Sequence, residues 1–172
     1  LASIPASRSQ ANLKLGGDDC AMDYDISVRD LPAQPIVVVE GDISMAEIGP
    51  FLGGAFPQVA AAHSAAGAAP SGPPLARYDM QGDRLLVEAG FPVAVPCELP
   101  EGDVVCRIIE AGSVATTTHT GPFDQIPGAY AALSQWITAH GYAPSGRPWE
   151  QYLSVPQSPQ QLCTVSWPCV RA

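Results

Sequence analysis

Apolar positions follow two rhythms along the chain, and the same succession of rhythms is written twice. YDISVRDL and PIVVVEG have period-two or continuous apolar character, which predicts two short strands. Ser44-Met45-Ala46-Glu47 then has the S-x-x-E form of a capping box, so a helix should start there. Phe51, Leu52, Ala55, Val59 and Ala62 supply its buried stripe. Pro50 and Pro57 fall inside it and predict a kinked or irregular helix that ends near Gly67. LARYDM and RLLVEAGF follow as a hairpin around Gln81-Gly82-Asp83.

The second half repeats the order. VVCRIIEA and SVATTTHT predict strands joined at Gly112. A helix opens at Thr120–Asp124, and Ile126, Tyr130, Leu133, Trp136 and Ile137 share one face of it. It stops at His140-Gly141, where glycine is the expected terminator. The strands WEQYLSV and LCTVSWPCV close the chain, and Trp167-Pro168 answers Phe91-Pro92 of the first half.

A repeated phrase fixes the correspondence. APSGPPLARY (69–78) and APSGRPWEQY (143–152) agree at six of ten positions with an offset of 74 (144 − 70). The chain therefore reads as a duplicated strand–strand–helix–strand–strand unit, with repeats at 24–97 and 103–172. The expected fold class is α+β, an antiparallel sheet of about eight strands with two helices. A pseudo-twofold interface of this kind creates a groove lined by equivalent positions, which is where ligands usually bind.

The two phrases differ where chemistry enters. Along the strand Glu150 and Tyr152 share one face, and Trp149 and Gln151 the other. The matching first-half residues are Ala76 and Tyr78, so the tyrosines are equivalent and Glu150 is unique. A carboxylate beside aromatic rings suits an organic cation: the rings offer apolar area and a negative face, and the acid offers the opposing charge. Spacing alone fits a solvated strand glutamate as well.

Composition narrows the classes. The chain has 172 residues, with 17 acidic against eight basic side chains. Its one lysine, Lys14, precedes the patterned region, which removes a phosphate-loop lysine, a Schiff-base lysine and a Ser–Lys pair from that region. Six scattered arginines after Tyr24 argue against direct nucleic-acid binding. No apolar run is long enough to span a membrane. Residues 1–23 lack the apolar core of a signal peptide and are expected to be a flexible leader or a cloning remnant. A cytoplasmic location is expected. The five cysteines (20, 97, 106, 163 and 169) form no CxxC and read as small hydrophobes, and no metal site or cofactor is expected.

HTGPFDQIPGAYAALSQWITAHGYAPSGRPWEQYL (119–153) resembles the second-half signature of the GyrI-like small-molecule-binding superfamily. That pattern runs His-x-Gly-Pro-aromatic, a helix with Trp, Gly-Tyr, a Pro-Gly turn and Glu-x-Tyr. The superfamily includes effector-binding domains of AraC-type and MerR-type regulators, the multidrug-sensing BmrR type among them, and gyrase-inhibitor proteins. The resemblance covers 24–172 and implies a central pocket with a buried glutamate, here Glu150, facing lipophilic cations. It implies ligand contacts from Tyr152, Phe123 and Trp167, and by pseudo-symmetry from Phe91, Tyr78 and Ile43, with Trp149 as a further candidate contact. Tyr130 and Trp136 are assigned to the core because they lie on the helix's apolar stripe. His119 suits a hydrogen bond at the helix start, and His63 and His140 read as helix-surface or cap residues.

Two further readings follow from the resemblance. Some stand-alone members resemble hydrolases that open strained cyclopropane rings. Glu150 would then be the acid or base, assisted by Tyr152, with Trp149 or Trp167 holding an aromatic substrate. A protein-interaction module of the gyrase-inhibitor kind is the other. The sequence holds no helix–turn–helix segment, and lacks the G-x-S-x-G and H-E-x-x-H patterns of other enzyme classes.

Overall fold

Branched side chains at Ile36, Val37, Val38 and Val39 favour extended backbone, and all four are buried because their strand is covered on both faces. Val37 and Val39 join the cluster beneath the first helix, whereas Ile36 and Val38 join a smaller cluster on the other face. The computed structural model describes residues 23–96, 98–99 and 101–172, so the expected leader lies outside the described residues except for Asp23.

The elements in chain order are β1 (Ser27–Leu31), β2 (Gln34–Ile43), α1 (Ile48–Ala65), β3 (Leu75–Gln81), β4 (Arg84–Pro92), β5 (Val104–Ile109), β6 (Gly112–Thr120), α2 (Pro127–Ala139), β7 (Tyr142–Pro144), β8 (Trp149–Tyr152) and β9 (Leu162–Arg171). All pairings are antiparallel, and the sheet order is β1-β6-β9-β8-β3-β4-β2-β5, with β7 attached to β9. That order is a palindrome of the two halves. Each half lends its first strand to the other: β1 pairs with β6, and β5 pairs with β2. The expected eight strands are present, and the short β7 makes nine.

The halves meet where β3 pairs with β8, in the register Leu75–Gln151, Ala76–Glu150 and Arg77–Trp149. Ala76 and Glu150 are equivalent positions of the repeat, so the pseudo-twofold axis passes between them. One row of cross-strand partners runs through this point: Val39, Ala89, Ala76, Glu150, Val165 and Thr117. Partners in a row point to one face, and this face carries both helices and their two main clusters. Glu150 is the one charged residue in the row.

Two glycines fit where a side chain would not. Gly82 adopts φ +67° in the β3–β4 turn. A Cβ at Gly90 would lie 1.9 Å from the Val37 carbonyl oxygen, so β4 can approach β2 only with glycine there.

Several local expectations change. The irregularity expected in α1 is confined to a 3₁₀ turn at Met45–Glu47; the helix runs unbroken through Pro57. Pro50 lies in the first turn, where the missing N–H needs no partner, and the carbonyl that Pro57 leaves free belongs to exposed Gly53. The Ser44 N–H donates to Glu47 Oε2 at 2.8 Å, as a capping box requires. β8 ends at Tyr152 instead of reaching Val155, and residues 153–161 form a loop. His63 is not on the surface: Ala55, Val59 and His63 are spaced by four on the inward face of α1, and His63 is 1% exposed. Among the described cysteines, Cys163 and Cys169 are buried, Cys106 is half-buried, and all three are free thiols.

Candidate functional site

Glu150 is 8% exposed, and its hydrogen-bond partners are tyrosines. Strand alternation brings Tyr152 to the same side of β8. Its hydroxyl donates to Glu150 Oε2 at 2.6 Å. Tyr130 reaches down from α2 and donates to Oε1 at 3.0 Å. Tyr78 of β3 completes the chain, with its hydroxyl 2.9 Å from that of Tyr152. These last two are pseudo-symmetry mates, so the axis is bridged by a hydrogen bond between equivalent residues.

Electrostatics follow from this burial. Desolvation pushes the Glu150 carboxyl above its ordinary range, and the hydroxyls of Tyr152 and Tyr130 oppose that rise. Burial, and next the nearby Glu150, push Tyr78, Tyr130 and Tyr152 well above the ordinary phenol value, so all three stay protonated as donors. The buried Cys163 thiol rises for the same two reasons and is held unreactive.

Aromatic rings extend the site on both sides. Tyr152 packs against both helix-side clusters. Its ring lies 5.5 Å from Phe123 and 5.9 Å from Phe56, and Phe56 lies 5.9 Å from Phe91. Tyr130 meets Trp167 edge-on at 6.1 Å. Phe56, Tyr78, Phe91, Phe123, Tyr130, Tyr152 and Trp167 are all half-buried. Ala76 and Ala89 keep the first-half side of the row low.

Phe123 is held from behind. Its N–H donates to Gln161 Oε1 at 2.8 Å. His119 donates from Nε2 to the Pro122 carbonyl at 3.0 Å, which leaves Nδ1 to accept from the Tyr24 hydroxyl at 2.8 Å. His119 thus makes the hydrogen bond at the helix start that its motif position suggested.

Of the residues singled out from the sequence, Glu150, Tyr152 and Tyr78 are joined by hydrogen bonds, Phe123 packs on Tyr152 and Trp167 on Tyr130, and Phe91 connects to them only through Phe56. Ile43 lies in the first-half cluster, outside the ring chain. Trp149, 7% exposed, lies on the opposite face with Ile36, Leu75 and Val114. Two residues were missed. Tyr130 was assigned to the core, yet its hydroxyl bonds the acid; a hydroxyl on an otherwise apolar stripe was the available signal. Phe56 gave none, because its role depends on where α1 lies. Trp136 packs at the second cluster's margin and stacks on His140 at 3.9 Å, and His140 Nδ1 caps the Trp136 carbonyl at 2.8 Å.

The other buried acid makes a contrast. Glu88, 5% exposed, accepts from Arg77 Nε at 2.6 Å and from Arg147 Nη1 at 3.0 Å. It borders an open cleft of about 420 Å³ on the face opposite the helices. Glu40 and Asp42 also line that cleft; Glu40 pairs with Arg107 at 2.7 Å and Asp42 with Arg84 at 2.6 Å, so each of its acids has an arginine partner. Among the described residues no group of His, Cys, Asp and Glu is placed to hold a metal, and no helix is long and apolar enough to cross a membrane.

Comparison with known proteins agrees with this architecture. The GyrI-like small molecule binding domain matches residues 24–168. No curated protein sequence matches the chain. The crystal structure of the EcmrR C-terminal domain is similar with a TM-score of 0.73 and 17% identity, covering 88% of this chain and 100% of that one. EcmrR in complex with DNA gives 0.70 and 20%, covering 87% of this chain; this chain spans only 58% of that one. SAV2435, solved bound to tetraphenylphosphonium, gives 0.57 and 9%, covering 87% and 94%. At these identities the likeness is one of fold.

Proposed function

The chain belongs to the GyrI-like small-molecule-binding family, and from that footing we propose that it binds lipophilic organic cations between its helices, against Glu150. The observation that carries this reading is the contrast between the buried acids. Glu88 has two guanidinium partners, whereas no Lys or Arg among the described residues pairs with Glu150. A buried carboxyl without a counter-charge, edged by half-buried rings, supplies what a desolvated organic cation needs. Tyr78, Tyr130 and Tyr152 orient the acid, and Phe56, Phe91, Phe123 and Trp167 supply apolar contact. The module acts as a ligand-sensing domain of a regulator or as a free-standing binder, with residues 24–172 as its unit.

The test is a fluorescence titration with a lipophilic cationic dye, comparing wild type with Glu150→Gln. Saturable binding that weakens about tenfold or more in the variant is expected, since one desolvated charge contact is worth about 1–3 kcal/mol. Equal binding by the two proteins would remove Glu150 from the site. The raised carboxyl beside Tyr152 also suits a general acid for opening strained rings. Turnover of a cyclopropane-bearing aromatic compound by wild type, lost in Glu150→Gln, would favour that second reading.

A further inference from the structure

The hydroxyl chain around Glu150 works in two directions. With the carboxylate ionised, Tyr130 donates to Oε1, Tyr152 donates to Oε2, and Tyr78 donates to Tyr152. With a proton on Oε2, the acid donates to Tyr152, and Tyr152 turns to donate to Tyr78 across the same 2.6 and 2.9 Å separations. A hydroxyl donates or accepts by rotating, so neither state leaves the carboxyl unpaired.

The two states differ in charge, and the surroundings favour the neutral one. The titratable groups facing Glu150 are Tyr78 from β3, Tyr130 from α2, Cys163 from β9, His119 from β6 and Tyr152 on its own strand. On the α1 side the neighbouring ring is that of Phe56, which packs on Tyr152. Both ring nitrogens of His119 bond elsewhere than to Glu150, Nε2 to the Pro122 carbonyl and Nδ1 to the Tyr24 hydroxyl. Every ion pair among the described residues is made by another acid: Glu40, Asp42, Asp79 or Glu88. Burial raises the carboxyl accordingly.

Resting on the cation-binding reading above, we infer that the empty site holds Glu150 as the neutral carboxylic acid, and that an entering organic cation replaces its proton. The O–H bond breaks, its electron pair stays on the carboxylate facing the cation, and one proton passes to the solvent for each cation bound. The site therefore reads acidity together with ligand. Below the midpoint of the free acid, cation affinity rises tenfold per pH unit. A neutral ligand of the same shape shows no such gain, because it leaves the proton in place.

The experiment is isothermal titration of the whole chain with tetraphenylphosphonium, which has no proton of its own to lose. At about pH 5, in buffers of different ionisation enthalpy, the dependence of the observed heat on buffer counts the protons released. Release of protons on cation binding is expected for wild type, and none for Glu150→Gln. The free protein is titrated in parallel by carbon-13 carboxyl resonances, with Glu150 assigned from the same variant. Its signal should titrate clearly above the ordinary glutamate value of about 4.3. Cation binding without proton release, with a carboxyl that titrates in the ordinary range, overturns the exchange and leaves the cation reading intact. A raised carboxyl in a protein that binds no tetraphenylphosphonium overturns the cation reading and the exchange with it.

Discussion

The middle of the sheet buries one acid on each face, Glu88 of β4 and Glu150 of β8, and the two are handled in opposite ways. On the face without helices, Glu88 is clamped by Arg77 and Arg147, and Arg147 also reaches Asp79 at 3.4 Å. On the helix face, Glu150 receives only phenol hydroxyls. Burial of a charge costs free energy in either place. At Glu88 the protein offsets that cost from its own chain and gains a link between β3, β4 and the loop before β8. At Glu150 the counter-charge is left out. The difference separates an acid that serves the fold from one available to a ligand.

Breaking the matched acid should have the largest effect. Arg77→Ala leaves Glu88 buried with the half-exposed Arg147 alone and should lower stability by about 3–5 kcal/mol in chemical denaturation. Replacing the pair together, Arg77→Met with Glu88→Leu, should recover most of that loss, since no unpaired charge remains. Glu150→Gln should change stability by less than about 1 kcal/mol while weakening cation binding tenfold or more. A large stability loss there would make Glu150 a second structural acid and erase the contrast.

The pH dependence sharpens the comparison. Glu150 is raised in the folded state, so between the unfolded and folded midpoints the folded chain holds a proton that the unfolded chain has lost. Stability linked to this group is present below the unfolded value of about 4.3 and falls as pH rises through the folded midpoint. Thermal melts of wild type should show that fall above about pH 4, and Glu150→Gln should lack it.

The smallest effects concern the phenols. Tyr130→Phe removes a direct donor to the carboxylate and should weaken cation binding by about 1 kcal/mol, roughly fivefold. It should also raise the acid further, because a bond favouring the ionised form is gone. Tyr78 bonds Tyr152 and influences Glu150 least of the three phenols, so Tyr78→Phe should cost less than Tyr130→Phe in the same titration. The reverse order would place the principal donor on the first half.

Much of the site was legible because repeats and strand alternation are local rules. The offset of 74 between the two phrases paired Tyr78 with Tyr152 and set Glu150 against Ala76. Period two then placed Glu150 with Tyr152; the same rule turns Trp149 to the other face, where it packs with Ile36 and Leu75, although it was also named as a ligand contact. Tyr130 and Phe56 were not legible as site residues. A helical stripe says which residues face inward and nothing about which part of the sheet they meet. His63 was read as a surface or cap residue, although it continues the four-residue spacing of Ala55 and Val59; its polar ring outweighed its place on the stripe.

By itself the sequence determined the doubled unit, the strand faces and the single acid near their axis, because chain periodicity and residue chemistry act over a few positions. Only the tertiary structure decided that β1 and β5 change halves, that two arginines close on Glu88, and that a helix tyrosine closes on Glu150. Those outcomes depend on which distant strands pair and where the helices settle, and that choice is made by the burial and packing of the chain as a whole.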